Sequence, residues 1–266
     1  MRTEFADWYD TPHYYDLIFD QGTAQEADFL EAMMRKYGAR SRTKAWRVLE
    51  PAAGSGRLVV EMARRGHQVS GFDLNEHMLE YAQQKLKAAG VAAQLWQDSL
   101  ESFQAPKRQT YDLLHCLVST FKYVLEEEGA HSHLSRAAAV LKEGGLYVLG
   151  LHLTDYSATG PDHERWLAEQ DGVKVVCNTH TWAPNVALRR ESLRTRLRIT
   201  HHGRTWVQET HWEFRTYNAL QLKRLLRSVP ELELVDCYDF TYNLEEPIKL
   251  DGSQLDVVLI LRKRTA

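Results

Sequence analysis

The sequence predicts an α/β protein: a Rossmann-like, mostly parallel sheet with helices on both faces, and an antiparallel sheet inserted late in the chain. Three observations predict it. A strand, glycine loop and helix follow one another from Trp46 to Arg65. Apolar strands and amphipathic helices then alternate as far as Leu153, as expected of a parallel sheet crossed by helices. From Gly172 to Tyr217 the apolar period switches to two, which suits strands with one buried face. At 266 residues the chain can bury one large domain with an elaborated insert.

The glycine loop comes first in the argument. Trp46, Val48 and Leu49 end in Glu50, and Pro51-Ala52-Ala53-Gly54-Ser55-Gly56-Arg57 follows. Next, Leu58-Val59-Val60-Glu61-Met62-Ala63 puts its apolar residues on one helical face. Glycine suits such a turn because the backbone bends sharply and a ligand can come close where a Cβ would block it. A P-loop needs Lys after its second glycine, and no Lys follows Gly56. A dinucleotide fingerprint needs Gly or Ala three residues after the second glycine, where this chain has Val59. Glu50 would repel a phosphate and favour a cation or an ammonium. The ligand this chemistry suggests is S-adenosylmethionine, which carries an α-amino group and a sulfonium but no phosphate.

Ahead of the loop, Trp8 to Phe19 is dense in aromatics, and Asp28 to Tyr37 has helical spacing closed by Gly38. This part reads both as a packed cover and as a lid whose Tyr14 or Tyr15 closes over cofactor and substrate. Beyond the loop, Gly66 ends the first helix, and Gln68 to Asp73 forms the second strand. Asp73 lies about twenty residues on, where a carboxylate can accept from both hydroxyls of a ribose. Asn75 caps a helix carrying Met78, Leu79, Ala82, Leu86 and Ala89, which Gly90 stops. The third strand, Ala92 to Gln97, ends at Asp98-Ser99, where an acid can accept from an adenine amino group. Tyr111 to Val118 is the fourth strand, Leu134 to Leu141 a helix, and Leu146 to Leu151 an apolar fifth strand ending at His152. Glu50, Asp73, Asp98, Leu117 and His152 therefore fall at the carboxyl ends of strands, where ligands of such sheets bind.

In the late segment, Val173 to Thr181, Ala187 to Thr200 and Arg204 to Arg215 read as strands, the last two joined through His202-Gly203. Leu193, Leu197 and Ile199 alternate with Arg194, Arg196 and Arg198, while Glu209 and Glu213 lie on the facing strand. Acids opposite the arginine row predict a solvated or paired face rather than a nucleic-acid patch. Asn218 and Gln221 make a capping box for a helix with Leu222, Leu225 and Leu226. Leu232 to Phe240 and Leu255 to Arg262 are the sixth and seventh strands, and their connection, Tyr242 to Gln254, is a second candidate for a substrate wall.

Four stretches together resemble class I S-adenosylmethionine-dependent methyltransferases: Glu50 to Gly56, Phe72-Asp73, Gln97-Asp98-Ser99, and Leu141 to Leu149. The likeness covers Trp46 to Leu153. It implies the strand order 3-2-1-4-5-7-6 with strand 7 antiparallel. It also implies that Glu50 and the Gly54/Gly56 loop, with Ala52 and Arg57, contact the methionine moiety. Asp73 would hold the ribose, Leu74 and Met78 would flank the adenine, Asp98 with Ser99 would take its amine, and Leu117 would lie beneath the methionine. Pro51-Ala52-Ala53 departs from the Gly or Cys that many members place in this loop. The inserted sheet is similar to that of small-molecule N-methyltransferases, the glycine and amino-sugar types, where it shapes the substrate pocket or a subunit contact. The expected activity is methyl transfer to a nitrogen or oxygen of a small molecule, leaving S-adenosylhomocysteine. A cofactor-binding protein without transferase activity and a protein methyltransferase stay open as alternatives. The expected division is a cover at 1–40, a cofactor-binding part at 41–155 and 218–266, and an insert at 156–217 through which a homodimer could form.

Twelve histidines invite a metal reading, yet no Cys/His pair has zinc-finger spacing and no His-Glu-x-x-His occurs, so no metal is expected. His152 is the first candidate for a general base because histidine is the residue type best suited to exchanging a proton in water near neutral pH, with Tyr14 or Tyr15 second. No Asn/Asp-Pro-Pro-Tyr/Phe motif follows the fourth strand, and a net charge of -3 gives no electrostatic ground for nucleic acid or anionic membrane as partner. Three separated cysteines, the lack of an apolar run in Met1 to Asp7, and the lack of any stretch near about 18 apolar residues give the expectation of a cytoplasmic protein.

Overall fold

The computed structural model describes residues 3–39 and 45–265, so the expected boundary at 40/41 lies outside the described residues. In chain order the elements are β1 (Thr3–Phe5), α1 (Pro12–Phe19), α2 (Thr23–Tyr37), β2 (Arg47–Pro51), α3 (Arg57–Arg64), β3 (Gln68–Asp73) and α4 (Glu76–Ala89). They continue with β4 (Gln94–Gln97), β5 (Tyr111–Cys116), α5 (Glu127–Val140), β6 (Leu141–His152), β7 (Asp162–Gln170) and β8 (Val173–Thr181). The chain ends with β9 (Arg190–His201), β10 (Arg204–Arg215), α6 (Ala219–Arg227), β11 (Leu232–Tyr238) and β12 (Asp256–Lys263).

Seven strands form one sheet in the order β11-β12-β6-β5-β2-β3-β4, which is the expected 3-2-1-4-5-7-6 read from the other edge. β4, β3, β2, β5 and β6 are mutually parallel, and β12 runs antiparallel to both β6 and β11. Leu113, Leu114, Val148, Leu149, Val258 and Leu259 expose no surface, as strands covered by helices on both faces require. Burying each such side chain contributes about 1.5–3 kcal/mol. The helix ends form as their residues dictate. Asn75 Oδ1 accepts from the Met78 N–H at 3.0 Å. Asn218 and Gln221 exchange two bonds of 2.9 Å, the reciprocal cap anticipated for α6. The chain leaves β2 toward β3 and β4 on one side and returns to β5 and β6 on the other. That reversal opens a crevice beyond the carboxyl ends of the parallel strands.

The second sheet has the order β1-β10-β9-β8-β7 and differs from expectation in two ways. β7 was not anticipated: in it Ala168 alone is buried and Trp166 half-buried, which leaves too faint an alternation to read as a strand. β1 pairs in parallel with β10, Thr3 opposite Val207, so the sheet is not wholly antiparallel and draws on the N-terminus as well as the insert. The turn between β9 and β10 does fall at His202-Gly203, both left-handed (φ +48° and +74°) as a two-residue hairpin turn demands. On its outer face Arg196 is bonded to Glu209 directly opposite, while the register sets Arg194 against His211 and Arg198 against Val207.

The N-terminal cover packs on this second sheet. Trp8 and Ile18 share a core with Val175, Cys177, Leu197 and Ile199, and the Trp8 ring stacks on Trp212 at 4.6 Å. A buried Lys122–Glu191 pair of 2.6 Å ties β9 to the turn after β5, and Arg190–Glu126 and Arg189–Glu127 tie the sheet to α5. Cover and second sheet together roof the crevice. Among the described residues no helix is long and apolar enough to cross a membrane.

Candidate active site

Beyond the carboxyl ends of the parallel strands lie two adjoining cavities, of about 180 and 420 Å³. Tyr9, Tyr15, Ala52, Gly54, Thr120 and Tyr123 line both, so the two are ends of one crevice divided at a waist. The smaller end carries Glu50, Arg57, Leu117 and His152. The larger end carries Asp73, Leu74, Asp98 and Ser99.

The loop between β2 and α3 turns through three left-handed residues, Ala52, Gly54 and Gly56 (φ +52°, +53° and +73°). Its two glycines have different tasks. A Cβ on Gly54 would meet nothing within 4 Å, and Gly54 lines both ends, so its bare backbone forms an open floor. A Cβ on Gly56 would lie 2.6 Å from Ala82 Cβ, and Gly56 lines neither end. Its N–H is already given to Ala53 O at 2.9 Å. Gly56, expected at the cofactor, is instead the point where α3 and α4 come close.

Glu50 is 8% exposed, its Oε2 accepts no hydrogen bond, and its Oε1 lies 3.8 Å from His115 Nδ1. Loss of water pushes its carboxyl up to about 8, against the pull of the Arg57 guanidinium. Arg57 itself is turned to Glu26 at 2.5 Å and to Thr23 Oγ1 at 3.2 Å, so it borders the small end as an already neutralised group. Behind Glu50, His115 is fully buried with neither ring nitrogen bonded, and burial followed by Arg57 pushes it down to about 3, which keeps it neutral.

Asp73 accepts from the Gly54 N–H at 2.7 Å through Oδ2 and from the Asn75 N–H at 2.9 Å through Oδ1. Burial raises its carboxyl and these backbone donors pull it back. Each oxygen keeps a lone pair for a further donor. Asp98 accepts from the Ser99 N–H at 2.9 Å, the Gln104 N–H at 3.0 Å and the Trp96 indole at 3.3 Å. Leu74 is 68% exposed at the rim of the large end. Met78, expected beside it, is fully buried and lines neither end.

Tyr15 stands at the waist, and burial holds its hydroxyl far above the usual phenol range. Tyr14, about 100° further round the helix, lines neither end and sets its ring edge-on to Trp206 at 5.9 Å. Tyr14, named as a catalytic candidate, therefore stands outside the lining of the crevice. Leu117 is 7% exposed beside the small end. The next two residues, Val118 and Ser119, are left-handed (φ +56° and +66°), a strained state for a β-branched side chain that persists only where the surrounding structure holds it. Ser119 donates its N–H to Gly150 O at 3.0 Å and accepts the His152 N–H on its hydroxyl at 2.9 Å. The His152 ring places Nδ1 2.5 Å from Oδ1 of Asp256, its direct neighbour on β12. A carboxylate there selects the Nδ1–H tautomer and leaves Nε2 able to take a proton.

Several lining residues escaped the sequence reading. Tyr9 donates to Tyr123 across the waist at 2.7 Å, a bond between chain positions far apart in sequence. Glu164 and Trp166 line the small end from β7, the strand whose pattern was too faint to read. Asp256 carried no signal beyond its place at the start of the seventh strand. Among the described residues no group of three or more His, Cys, Asp or Glu side chains could hold a metal ion.

Residues 48–145 match the family model of a methyltransferase domain. The chain is 31% identical over 150 residues to a protein of Geobacillus sp. (strain WCH70) that bears a provisional methyltransferase name, covering 56% of this chain and 57% of that one. It is 27% identical over 132 residues to the ubiquinone biosynthesis O-methyltransferase of Proteus mirabilis (strain HI4320), covering 50% and 49%. The chain thus spans about half the length of the curated relatives it matches. Among solved structures it superposes on an S-adenosylmethionine-dependent methyltransferase from Clostridium acetobutylicum ATCC 824 with a TM-score of 0.77 at 16% identity, over 95% of this chain and 97% of that one. The sugar N-methyltransferase KedS8 from Streptoalloteichus sp ATCC 53650 gives a TM-score of 0.70 at 17% identity, over 94% and 93%. At such identities the likeness is one of fold.

Proposed function

We propose that this chain, whose fold is that of class I S-adenosylmethionine-dependent methyltransferases, moves a methyl group from S-adenosylmethionine to a nitrogen or oxygen of a small-molecule acceptor. One observation carries the reading: Glu50 is a buried carboxylate with an unbonded oxygen, beside the open floor at Gly54, in a crevice whose other end presents Asp73 and Asp98. The residues fit that cofactor. A ligand ammonium would favour the ionised form of the raised Glu50 carboxyl and satisfy it, whereas a phosphate would find no free cation there because Arg57 is paired with Glu26. Asp73 would accept from the ribose hydroxyls, and Asp98 with Ser99 from the adenine amine. Leu74 and Leu117 would offer apolar contact, and Ala52, Gly54 and Tyr15 would border the narrow waist.

When bound, the cofactor supplies an electrophilic methyl group on a sulfonium, so the chain has mainly to align the acceptor and keep water out. The Tyr9–Tyr123 bond and the stacked Trp8 and Trp212 close the crevice over the strand ends. His152, oriented by Asp256, would take the proton of an acceptor amine or hydroxyl at Nε2. A small cavity roofed by a second sheet suits a metabolite better than a protein segment. The second sheet ends in edge strands β1 and β7, through which two chains would pair in a homodimer; sedimentation velocity decides that point. Calorimetric titration with S-adenosylhomocysteine tests the main reading. Absence of binding, or a crystal soak in which Glu50, Asp73 and Asp98 touch no ligand, would overturn it.

A further inference from the structure

We infer that Glu164 selects the methyl acceptor by charge, holding a positively charged amine at the rim of the small end of the crevice; the inference rests on the methyl-transfer reading above. β7 carries Glu164 into the lining of this end, which His152 and the rings of Trp8, Trp166, Trp212 and Phe214 share. Among the described residues no cation pairs with Glu164. The positive groups that act on it are His152 and Lys122, and both are committed elsewhere, His152 to Asp256 at 2.5 Å and Lys122 to Glu191 at 2.6 Å. Loss of water raises its carboxyl, and its other charged neighbours, Asp162 and Asp256, are acids that raise it further.

The rest of the lining leaves this negative charge unbalanced. Arg57 is neutralised by Glu26, and Glu50, whose carboxyl burial pushes up to about 8, supplies no cation to offset Glu164. An anionic acceptor would be repelled from such a space, and a neutral alcohol would gain little from Glu164. A cation gains twice, from the carboxylate and from the negative faces of the surrounding rings. The insert thus contributes more than a roof: it supplies the group that distinguishes acceptors by charge.

The test uses cyclohexylamine, a cation at pH 7, and cyclohexanol, its neutral counterpart of similar shape. Each is titrated into the full chain loaded with S-adenosylhomocysteine while the indole N–H resonances of Trp8, Trp166 and Trp212 are followed by NMR. The wild-type chain is expected to prefer the amine by about tenfold or more. Glu164→Gln, isosteric and on an exposed edge strand, should reduce that preference to about threefold or less and leave S-adenosylhomocysteine affinity unchanged. Equal affinities in the wild-type chain, failure of both probes to bind, or an undiminished preference in the variant would overturn the inference. Failure of S-adenosylhomocysteine to bind would remove the methyl-transfer reading and the acceptor role with it, whereas the same two probes titrated into the unloaded chain separately decide whether Glu164 prefers a cation.

Discussion

Replacing Gly54 and Gly56 by alanine, one at a time, separates the two tasks of the loop. Both glycines are left-handed, so either alanine costs about 1–2 kcal/mol of backbone strain. Gly56→Ala adds a clash, because its Cβ would lie 2.6 Å from Ala82 Cβ and 3.3 Å from Ala82 Cα. Carbon atoms in contact prefer about 3.5–4.0 Å, so the missing ångström must come from moving α3 away from α4. Neither opposing atom belongs to a flexible side chain. Overpacking of this kind adds about 1–3 kcal/mol, for a total of about 2–5 kcal/mol. In Gly54→Ala only the strain remains, since the new methyl meets nothing within 4 Å and stands in the crevice instead. The expected result is a large fall in the urea midpoint for Gly56→Ala, with S-adenosylhomocysteine affinity within about threefold of wild type for the folded fraction. Gly54→Ala should keep most of its stability and lose about tenfold or more in affinity, about 1.4 kcal/mol. Urea unfolding followed by tryptophan fluorescence, together with calorimetric titration, reads both. A Gly56 variant that unfolds no earlier than the Gly54 variant would refute the packing argument, and a Gly54 variant that binds like wild type would show that the ligand lies elsewhere.

Three further outcomes follow from the site and its supports. The Glu50 carboxyl titrates near 8 in the folded chain and near its ordinary 4.5 when unfolded, so between those values the folded state holds the extra proton and stability falls as pH rises, levelling off above 8. Glu50→Gln should therefore show a melting-temperature advantage over wild type that widens across that window and should lose S-adenosylhomocysteine binding; an advantage that does not change with pH would refute the burial argument. His152→Ala is expected to lower S-adenosylhomocysteine release with any working acceptor by about 100- to 10,000-fold without changing cofactor affinity, and a variant with normal turnover would remove His152 as the base. Lys122→Met strands the buried Glu191 carboxylate and should cost about 3–5 kcal/mol, much of it recovered on adding Glu191→Leu; a double variant no more stable than the single would refute the pairing.

Much of the fold was legible because its determinants are local. Asn75 and Asn218 cap their helices through neighbours three residues away, His202-Gly203 turns on its own dihedral angles, and each apolar strand reports its burial through its own run of side chains. A parallel sheet also brings every carboxyl end to one side, so the strand pattern alone assigns Glu50, Asp73, Asp98, Leu117 and His152 to one region. Where the reading failed, the deciding contact was remote. Gly56 was grouped with Gly54 because the loop looks alike at both positions, and only the approach of Ala82 on another helix separates them. Tyr14 and Tyr15 are indistinguishable in an aromatic run, and the direction α1 presents to the crevice chooses between them.

By itself, then, the sequence determined the alternation of strands and helices, the glycine turn and the row of acids at strand ends, because backbone geometry and side-chain period act over a few residues. Only the tertiary structure decided that β1 and the unread β7 complete a second sheet over the crevice, that Tyr9 reaches Tyr123, that Asp256 holds His152, and that Glu164 pairs with no cation among the described residues. Those pairings depend on how separate elements pack, and packing sums weak contacts over the whole chain, so no short stretch of sequence carries a record of it.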